Sequence, residues 1–315
     1  MTQRTLKTRI DVVGVGLHTG RKIRMQVLPA AADSGIRFVR TDLRTEHDDA
    51  SITMGPEGTA RISRADHATT LSGNGFSIST VEHLMAAFRG LGVDNAIVQL
   101  SDAEVPIMDG SAAPFVYLIK EAGLRDLGVP RRVIRMTRAV SVMDGDREVT
   151  IYPADHFRIT YTIDFAHPAI GRQSLSRSID ERTFVNELAP ARTFCLLKDV
   201  QMLRQRGLAL GGSLANAVVV GDTGPLNSLR FHDEFVRHKA LDLVGDLALM
   251  GHPIIGHVVA HRAGHEMNSR LLIELMANRD AWVVTTRVPA THGVEAPAAL
   301  AASGQPEIAR GAASY

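Results

Sequence analysis

The chain of 315 residues contains a single cysteine, Cys195. One thiol cannot close an internal disulfide, so a disulfide framework is excluded and a reducing, cytoplasmic compartment is expected. No apolar run approaches the roughly 20 residues that span a bilayer, and the opening "MTQRTLKTRIDVVGVGLHTG" has no apolar core of signal-peptide length. No transmembrane segment is expected. Basic runs are missing too: Lys plus Arg number 35 against 34 Asp plus Glu, a net charge of +1. That balance gives no electrostatic footprint for nucleic acid. The metalloprotease signature His-Glu-x-x-His does not occur. Strict alternation of strand and helix is absent, which favours layered α+β architecture. What remains is ordinary for a globular chain, 45% hydrophobic and 22% charged, with length for about two domains.

Strand signals open each half. The first half has "KIRMQVLP", "GIRFVRT" and "TTLSGNGFSIS", the last with a Gly-Asn-Gly hairpin turn; the second has "REVTIYPA" and the alternating "FRITYTIDFAH". Each half then closes on helix, strand, polar loop, helix: "STVEHLMAAFRGLGVDNAIVQL" through "APFVYLIKEAGL", and "EFVRHKALDLVGDLALMGHPIIGHVVA" through "SRLLIELMANR". The expected fold is two similar α+β domains of layered sheet and helices. The first covers 1–127 with a small strand insert, and the second covers 128–288. The break falls in the linker-like "RDLGVPRR" of residues 125–132. The tail, 289–315, is rich in Ala, Gly, Ser and Pro and reads as disordered. The shared order suggests a duplication in which Val81-Glu82-His83 lines up with Val236-Arg237-His238. Packing about a pseudo-twofold axis would then bring His83 and His238 together at a domain interface, a common location for sites.

"EFVRHKALDLVGDLALM", residues 234–250, reads as a helix with Val236, Ala240, Leu243, Val244 and Leu247 as its apolar stripe. The opposite side carries His238, Asp242 and Asp246 at steps of four, which stack one above another. Two readings stand. A His–Asp pair at this spacing is often a surface ion pair, yet two ligands one helical turn apart are also a standard grip on zinc. Glu82 has two readings as well, because Ser79-x-x-Glu82 before an apolar run fits a capping box. His257, His261 and His265 also recur every four residues, but "PIIGHVVAH" is β-branched and reads as strand, so the three should not share a face. His265 then sits at the loop before the next helix, a suitable place for a working side chain.

Taken together, "GVGLHTG", "STVEHLMAAF", "IDFAHPAIG", "ARTF", "EFVRHKALDLVGDL" and "GHEMNSRLL" resemble the zinc-dependent UDP-3-O-acyl-N-acetylglucosamine deacetylases of lipid A biosynthesis, in order, from about residue 3 to about residue 288. The resemblance implies helices sandwiched between the sheets of two domains, with the active site at their interface. It implies His83, His238 and Asp242 as ligands of Zn2+, Glu82 as general base, His265 as the stabilising and protonating cation, and Asp246 as the carboxylate that orients it. Thr193 would help hold the oxyanion, Lys239 and Phe194 would bind substrate, and Asp164, Phe165 and Arg262 would lie at the nucleotide end. An insert at about 193–220 would form a hydrophobic passage for the acyl chain. Within it, Leu196, Val200 and Leu203 form one apolar stripe on an expected helix that ends near Gly207. We expect Val200 and Leu203 to line that passage.

The expected reaction is hydrolysis of the N-acetyl group of UDP-3-O-(3-hydroxyacyl)-N-acetylglucosamine to acetate and the free amine. A monomer acting on this small acylated UDP-sugar is expected. Two alternatives differ in class: a zinc amidase acting on another acylated amine, and a non-enzymatic lipid- or nucleotide-binding protein with a structural zinc. The latter calls for four protein ligands, and three are in view. The same donor set would accept iron(II) or cobalt(II).

Overall fold

The computed structural model describes residues 1–43, 50–55, 57–65 and 67–286. The expected disordered tail, 289–315, lies outside the described residues. The first half runs through β1 (Thr2–Leu6), β2 (Ile10–Val15), β3 (Lys22–Pro29), β4 (Ile36–Arg40) and β5 (Ser51–Thr53). Next come the short strands β6 (Arg61–Arg64), β7 (Thr70–Gly73) and β8 (Phe76–Ile78), then α1 (Glu82–Leu91), β9 (Ala96–Leu100) and α2 (Ala113–Ala122). Strand β10 (Leu124–Pro130) leads to β11 (Val133–Met136), β12 (Val140–Asp144), β13 (Arg147–Tyr152), β14 (Phe157–Asp164) and β15 (Arg172–Ser178). After these come α3 (Glu181–Thr183), which continues as a π-helical turn over 184–188, β16 (Phe194–Leu196), α4 (Leu197–Gln205), β17 (Val218–Gly221) and β18 (Gly224–Pro225). The chain closes with α5 (Glu234–Ala248), β19 (Ile254–His261), α6 (His265–Ala277) and β20 (Trp282–Thr285).

The α+β repeat expected from the sequence is present strand by strand. In the first sheet the order is β2-β3-β9-β4-β5; β9 pairs antiparallel with β3 and parallel with β4. In the second, β19 pairs antiparallel with β13 and parallel with β14, and β12 and β15 flank them as β2 and β5 flank the first set. Strands β11 and β20 extend the second sheet. The alternation read in "FRITYTID" appears as alternating burial along β14. The hairpin signal is met as well: Asn74 (φ 50°) and Gly75 (φ 80°) both take the left-handed conformation between β7 and β8, as a two-residue hairpin turn of the primed type requires.

The segment read as a linker is ordered. Leu124–Pro130 is β10, which pairs antiparallel with β1 and ties the second half to the N-terminus. The sequence suggested a break because Gly and Pro punctuate structure. Here Gly128 supplies a left-handed residue (φ 71°) and Pro130 ends an edge strand, where a missing N–H costs little.

The core is shared. Helices α1 and α5 pack against one another between the sheets, and Phe88, Phe115, Tyr161, Phe184 and Phe235 are buried in one continuous cluster. Their crossing is close because Gly245 faces α1. A Cβ there would lie 2.0 Å from the Glu82 carbonyl oxygen and 2.8 Å from its carbon, well inside van der Waals contact. Helix α5 is buried around nearly its whole girth, so its polar face is as enclosed as its apolar stripe. Gly245→Ala should therefore push α1 from α5. We expect a loss of about 1–3 kcal/mol, the usual cost of overpacking, measured by denaturant titration. An unchanged unfolding midpoint would show that the crossing tolerates a methyl group.

Candidate metal centre and active site

Helix α1 presents Glu82 and His83 at its first turn. The capping box expected from Ser79 and Glu82 is not formed. Helix α1 starts at Glu82, which puts Glu82 at the first helical position instead of the third that a capping box needs. Ser79 is occupied elsewhere, its N–H donating to Ala103 O (2.8 Å) and its own carbonyl accepting from the Val105 N–H (3.0 Å). Thr80 then turns the chain with φ 59°, a costly conformation for a β-branched residue. Its hydroxyl donates to the buried Glu104 carboxylate (3.1 Å). The Glu82 side chain is thus released from capping and points inward, where its Oε2 accepts from the Thr69 N–H at 3.1 Å.

Helix α5 supplies His238, Asp242 and Asp246, all buried. Asp242 Oδ1 lies 3.3 Å from His238 Nε2 and 3.6 Å from His83 Nε2, and the two imidazoles meet edge to face at 5.1 Å. That oxygen is buried without a hydrogen-bond partner. An orphaned carboxylate oxygen with two imidazole nitrogens converging on it is costly unless something else binds there. His83, His238 and Asp242 each direct one ligand atom into a common space, all within 4.8 Å of one another. This group can hold a metal ion. His238 Nδ1 donates to Ala191 O (3.1 Å), which fixes Nε2 toward the site as metal-ligating histidines require. Asp242 Oδ2 accepts from Lys239 Nζ (2.8 Å), which leaves Oδ1 free to bind an ion.

His265 opens α6, whereas His257 and His261 lie on β19, as the β-branched strand pattern of "PIIGHVVAH" implies. Its Nδ1 is 2.9 Å from Asp246 Oδ2, and its Nε2 is 3.5 Å from Asp242 Oδ2. Burial works against the imidazolium, and so does the positive end of α6. Asp246 first and Asp242 next outweigh both and lift its pKa to about 9. Burial dominates at Glu82 and raises its pKa, although His265 and His83 oppose that. Burial drives His238 down to about 3, so it stays neutral and able to ligate. At Asp242 burial is overcome by His238, Lys239 and His265, and its carboxyl is held well below the usual range.

The "ARTF" segment is bolted to α5 by a buried ion pair. Arg192 Nε donates to Glu234 Oε1 (2.9 Å) and its Nη2 to Oε2 (3.1 Å). This sets Ala191 against His238 and carries Thr193 and Phe194 alongside. The Phe194 ring lies 6.3 Å from the His238 ring and 5.7 Å from Lys239 Nζ, and stacks edge-on with Phe165 at 5.6 Å. Arg262 Nη1 is 4.0 Å from Asp164 Oδ2, so these two also meet, as partly exposed groups. Val200 lines a surface groove of about 590 Å³ with Leu197, Gln201, Arg204 and Gln205 on α4. Leu203 is half-buried beside it. Leu196 ends β16 and does not belong to the α4 stripe.

The family model for UDP-3-O-acyl N-acetylglycosamine deacetylase matches residues 3–277. The chain belongs to this deacetylase family. It is 48% identical over 284 residues to UDP-3-O-acyl-N-acetylglucosamine deacetylase of Methylococcus capsulatus, covering 89% of this chain and 91% of that protein. The deacetylases of Pseudomonas entomophila (46% identical; 90% of this chain, 92% of the relative) and Myxococcus xanthus (47%; 90% and 88%) are similarly close. Among the described residues, no helix is long and apolar enough to cross a membrane.

Three features around this cluster carry no signal of their own in the sequence motifs. One is the Ala191 carbonyl, which any residue could have supplied. Another is Asn268, whose Nδ2 donates to Asp246 Oδ2 (2.8 Å). Its spacing from His265 is i,i+3, so a shared helical face was available as a signal. The third is Thr69, whose hydroxyl donates to Asp246 Oδ1 at 2.6 Å from 177 positions away. The geometry predicts that His83→Ala, His238→Ala and Asp242→Ala each lose bound metal. The loss should exceed the about 10–100-fold typical of removing a ligand's hydrogen-bond partner. Elemental analysis of the purified variants checks this, and full metal in all three would reject the site.

Proposed function

We propose that the chain hydrolyses the N-acetyl group of UDP-3-O-(3-hydroxyacyl)-N-acetylglucosamine to acetate and the free amine, in lipid A biosynthesis, with Zn2+ held by His83, His238 and Asp242. The observation that carries this reading is the orphaned Asp242 Oδ1 facing two imidazole Nε2 atoms, with the buried Glu82 next to His83 on α1 and His265 Nε2 at 3.5 Å from Asp242 Oδ2. The relatives' shared name as UDP-3-O-acyl-N-acetylglucosamine deacetylases supports the substrate. Two imidazoles and one carboxylate are a catalytic zinc set, with room for a water or substrate oxygen. When bound there, zinc supplies Lewis acidity, acidifying water and polarising a carbonyl oxygen.

The chain's own groups do the rest. Glu82, with Oε2 held by Thr69, takes the proton of the attacking water on its other oxygen. Thr193 helps hold the oxyanion. His265 keeps Nδ1 on Asp246, turns Nε2 to the reacting centre and gives its proton to the leaving amine, which departs poorly as an anion. Lys239 and Phe194 hold the substrate beside His238, while Asp164, Phe165 and Arg262 receive the nucleotide end. Val200 and Leu203 line the passage for the acyl chain. The exposed Leu197, Met202, Leu210 and Leu214 of the same insert support an apolar ligand there. A structural zinc would need a fourth protein ligand, and the cluster among the described residues has three. We further propose that the enzyme works in the cytoplasm as a monomer, since one chain contributes every group named.

Acetate release from the acylated sugar nucleotide should require metal. A chelator should abolish it and zinc should restore it, whereas turnover indifferent to chelation would overturn the reading. Activity also needs Glu82 ionised and His265 protonated in one enzyme form, so kcat/KM should be bell-shaped in pH. The rate rises as Glu82 loses its proton and falls as His265 loses its own. Glu82→Gln should cost about 10²–10⁴-fold in kcat with zinc retained, and a variant that kept turnover would exclude Glu82 as base.

For the acyl chain, each buried CH₂ is worth about 0.8 kcal/mol. Enlarging Val200 or Leu203 should therefore lower kcat/KM for a long-chain substrate far more than for a short-chain analogue. Equal losses on both would place the passage elsewhere.

A further inference from the structure

Thr69 precedes β7 and is fully buried. Its two donors go to two different working carboxylates. The backbone N–H donates to Glu82 Oε2 at 3.1 Å, and the hydroxyl donates to Asp246 Oδ1 at 2.6 Å. The hydroxyl oxygen also lies 3.2 Å from His265 Nδ1. A hydroxyl has one proton, and here the short bond to Asp246 takes it. Toward His265 the oxygen can then only accept, so Nδ1 must carry hydrogen. Nδ1–H is shared between Asp246 Oδ2 at 2.9 Å and Thr69 Oγ1 at 3.2 Å. Asp246 in turn receives three donors: Thr69 on Oδ1, with Asn268 and His265 on Oδ2. With every donor directed at it, the carboxylate has no freedom to rotate.

We propose that Thr69 is a positioning residue for the deacetylation, holding the base Glu82 through its backbone and the acid His265 through its hydroxyl and Asp246. The three groups come from α1, α5 and α6, which are otherwise independent in sequence. Thr69 belongs to none of these helices. It is placed by the small sheet β6-β7-β8, and its carbonyl receives the Val81 N–H just before α1 (3.5 Å). The small sheet therefore has a task in the site: it carries one residue that registers base and acid against each other. The inference rests on the deacetylase reading.

The test is steady-state deacetylation by the zinc-loaded full chain. Thr69→Val keeps the shape and the N–H but removes the hydroxyl. Thr69→Ser keeps both donors. We expect Thr69→Val to lower kcat about 10–100-fold, the range for losing a group that orients a ligand or its partner. KM, zinc content and the unfolding midpoint should stay within about twofold or a few degrees of the parent. Thr69→Ser should recover most of that loss. In an Asp246→Asn background Thr69→Val should cost little more, because contacting residues acting through one network are non-additive. Wild-type kcat retained by Thr69→Val would overturn the proposal. So would equal losses in the two backgrounds, or a kcat loss that tracks lost zinc or lost fold in both Val and Ser variants. Failure of the parent protein to release acetate would instead reject the deacetylase reading, so the two failures are distinguishable.

Discussion

The site depends on how closely two helices can cross. Glu82 and His83 sit at the start of α1, and His238, Asp242 and Asp246 sit along α5. They share one small volume because residue 245 has no side chain to hold the backbones apart. Each helix is the equivalent element of its repeat: α1 leads into β9 and α5 into β19, the strands that pair antiparallel on one side and parallel on the other. A duplicated fold thus yields an asymmetric site. One copy contributes Glu82 and His83 in adjacent positions; the other contributes His238, Asp242 and Asp246 on one face. The histidine preceded by Glu in one copy is preceded by Arg237 in the other. Arg237 turns away to pair with Asp233 and Glu187, so only one copy places a carboxylate beside its histidine.

Burying this many charges would be prohibitive without partners. The chain handles the cost by directing a donor at each carboxylate: Thr69 at Glu82, Lys239 at Asp242, and three groups at Asp246. Asp242 Oδ1 is the exception. A buried carboxylate oxygen with no hydrogen-bond partner and two imidazole nitrogens facing it marks a place where a cation can bind more directly than any sequence spacing does.

Much of this was legible in the residues. The 3.6-residue period of "EFVRHKALDLVGDL" and the 2-residue period of "FRITYTID" gave elements at nearly the right bounds, and Asn-Gly gave the β7–β8 turn. The shared order of elements gave the repeat, and with it the meeting of His83 and His238. What failed did so for tertiary reasons. Leu124–Pro130 carries the turn-forming Gly and Pro of a linker, but β1 offers it an edge to pair with, and pairing outweighs local preference. The capping box failed because Ser79 was claimed by the 103–105 segment, a contact the local motif cannot register. Thr69 was invisible because a threonine before a short strand has no pattern of its own. Its importance comes entirely from partners 13 and 177 positions away.

Glu82 and His265 are both enclosed, yet their environments act on them in opposite senses. Burial disfavours the charged form of each. At Glu82 it prevails and raises the carboxyl's pKa. At His265 two carboxylates overcome it and keep the imidazolium to about pH 9. The helix ends favour the same placement only in part. A carboxylate at the first turn of α1 gains from the positive end of that helix, whereas an imidazolium at the first turn of α6 loses. His265 is therefore the group that depends on Asp246, and Asp246 depends on its three donors to stay oriented. Two titratable groups whose environments separate their protonation states are what a base-then-acid sequence requires. The separation here arises from α5 delivering Asp242 and Asp246 on one face, one turn apart. The four-residue spacing that first marks this helix in the sequence thus places one carboxylate in the candidate metal group and the next against the His265 imidazolium.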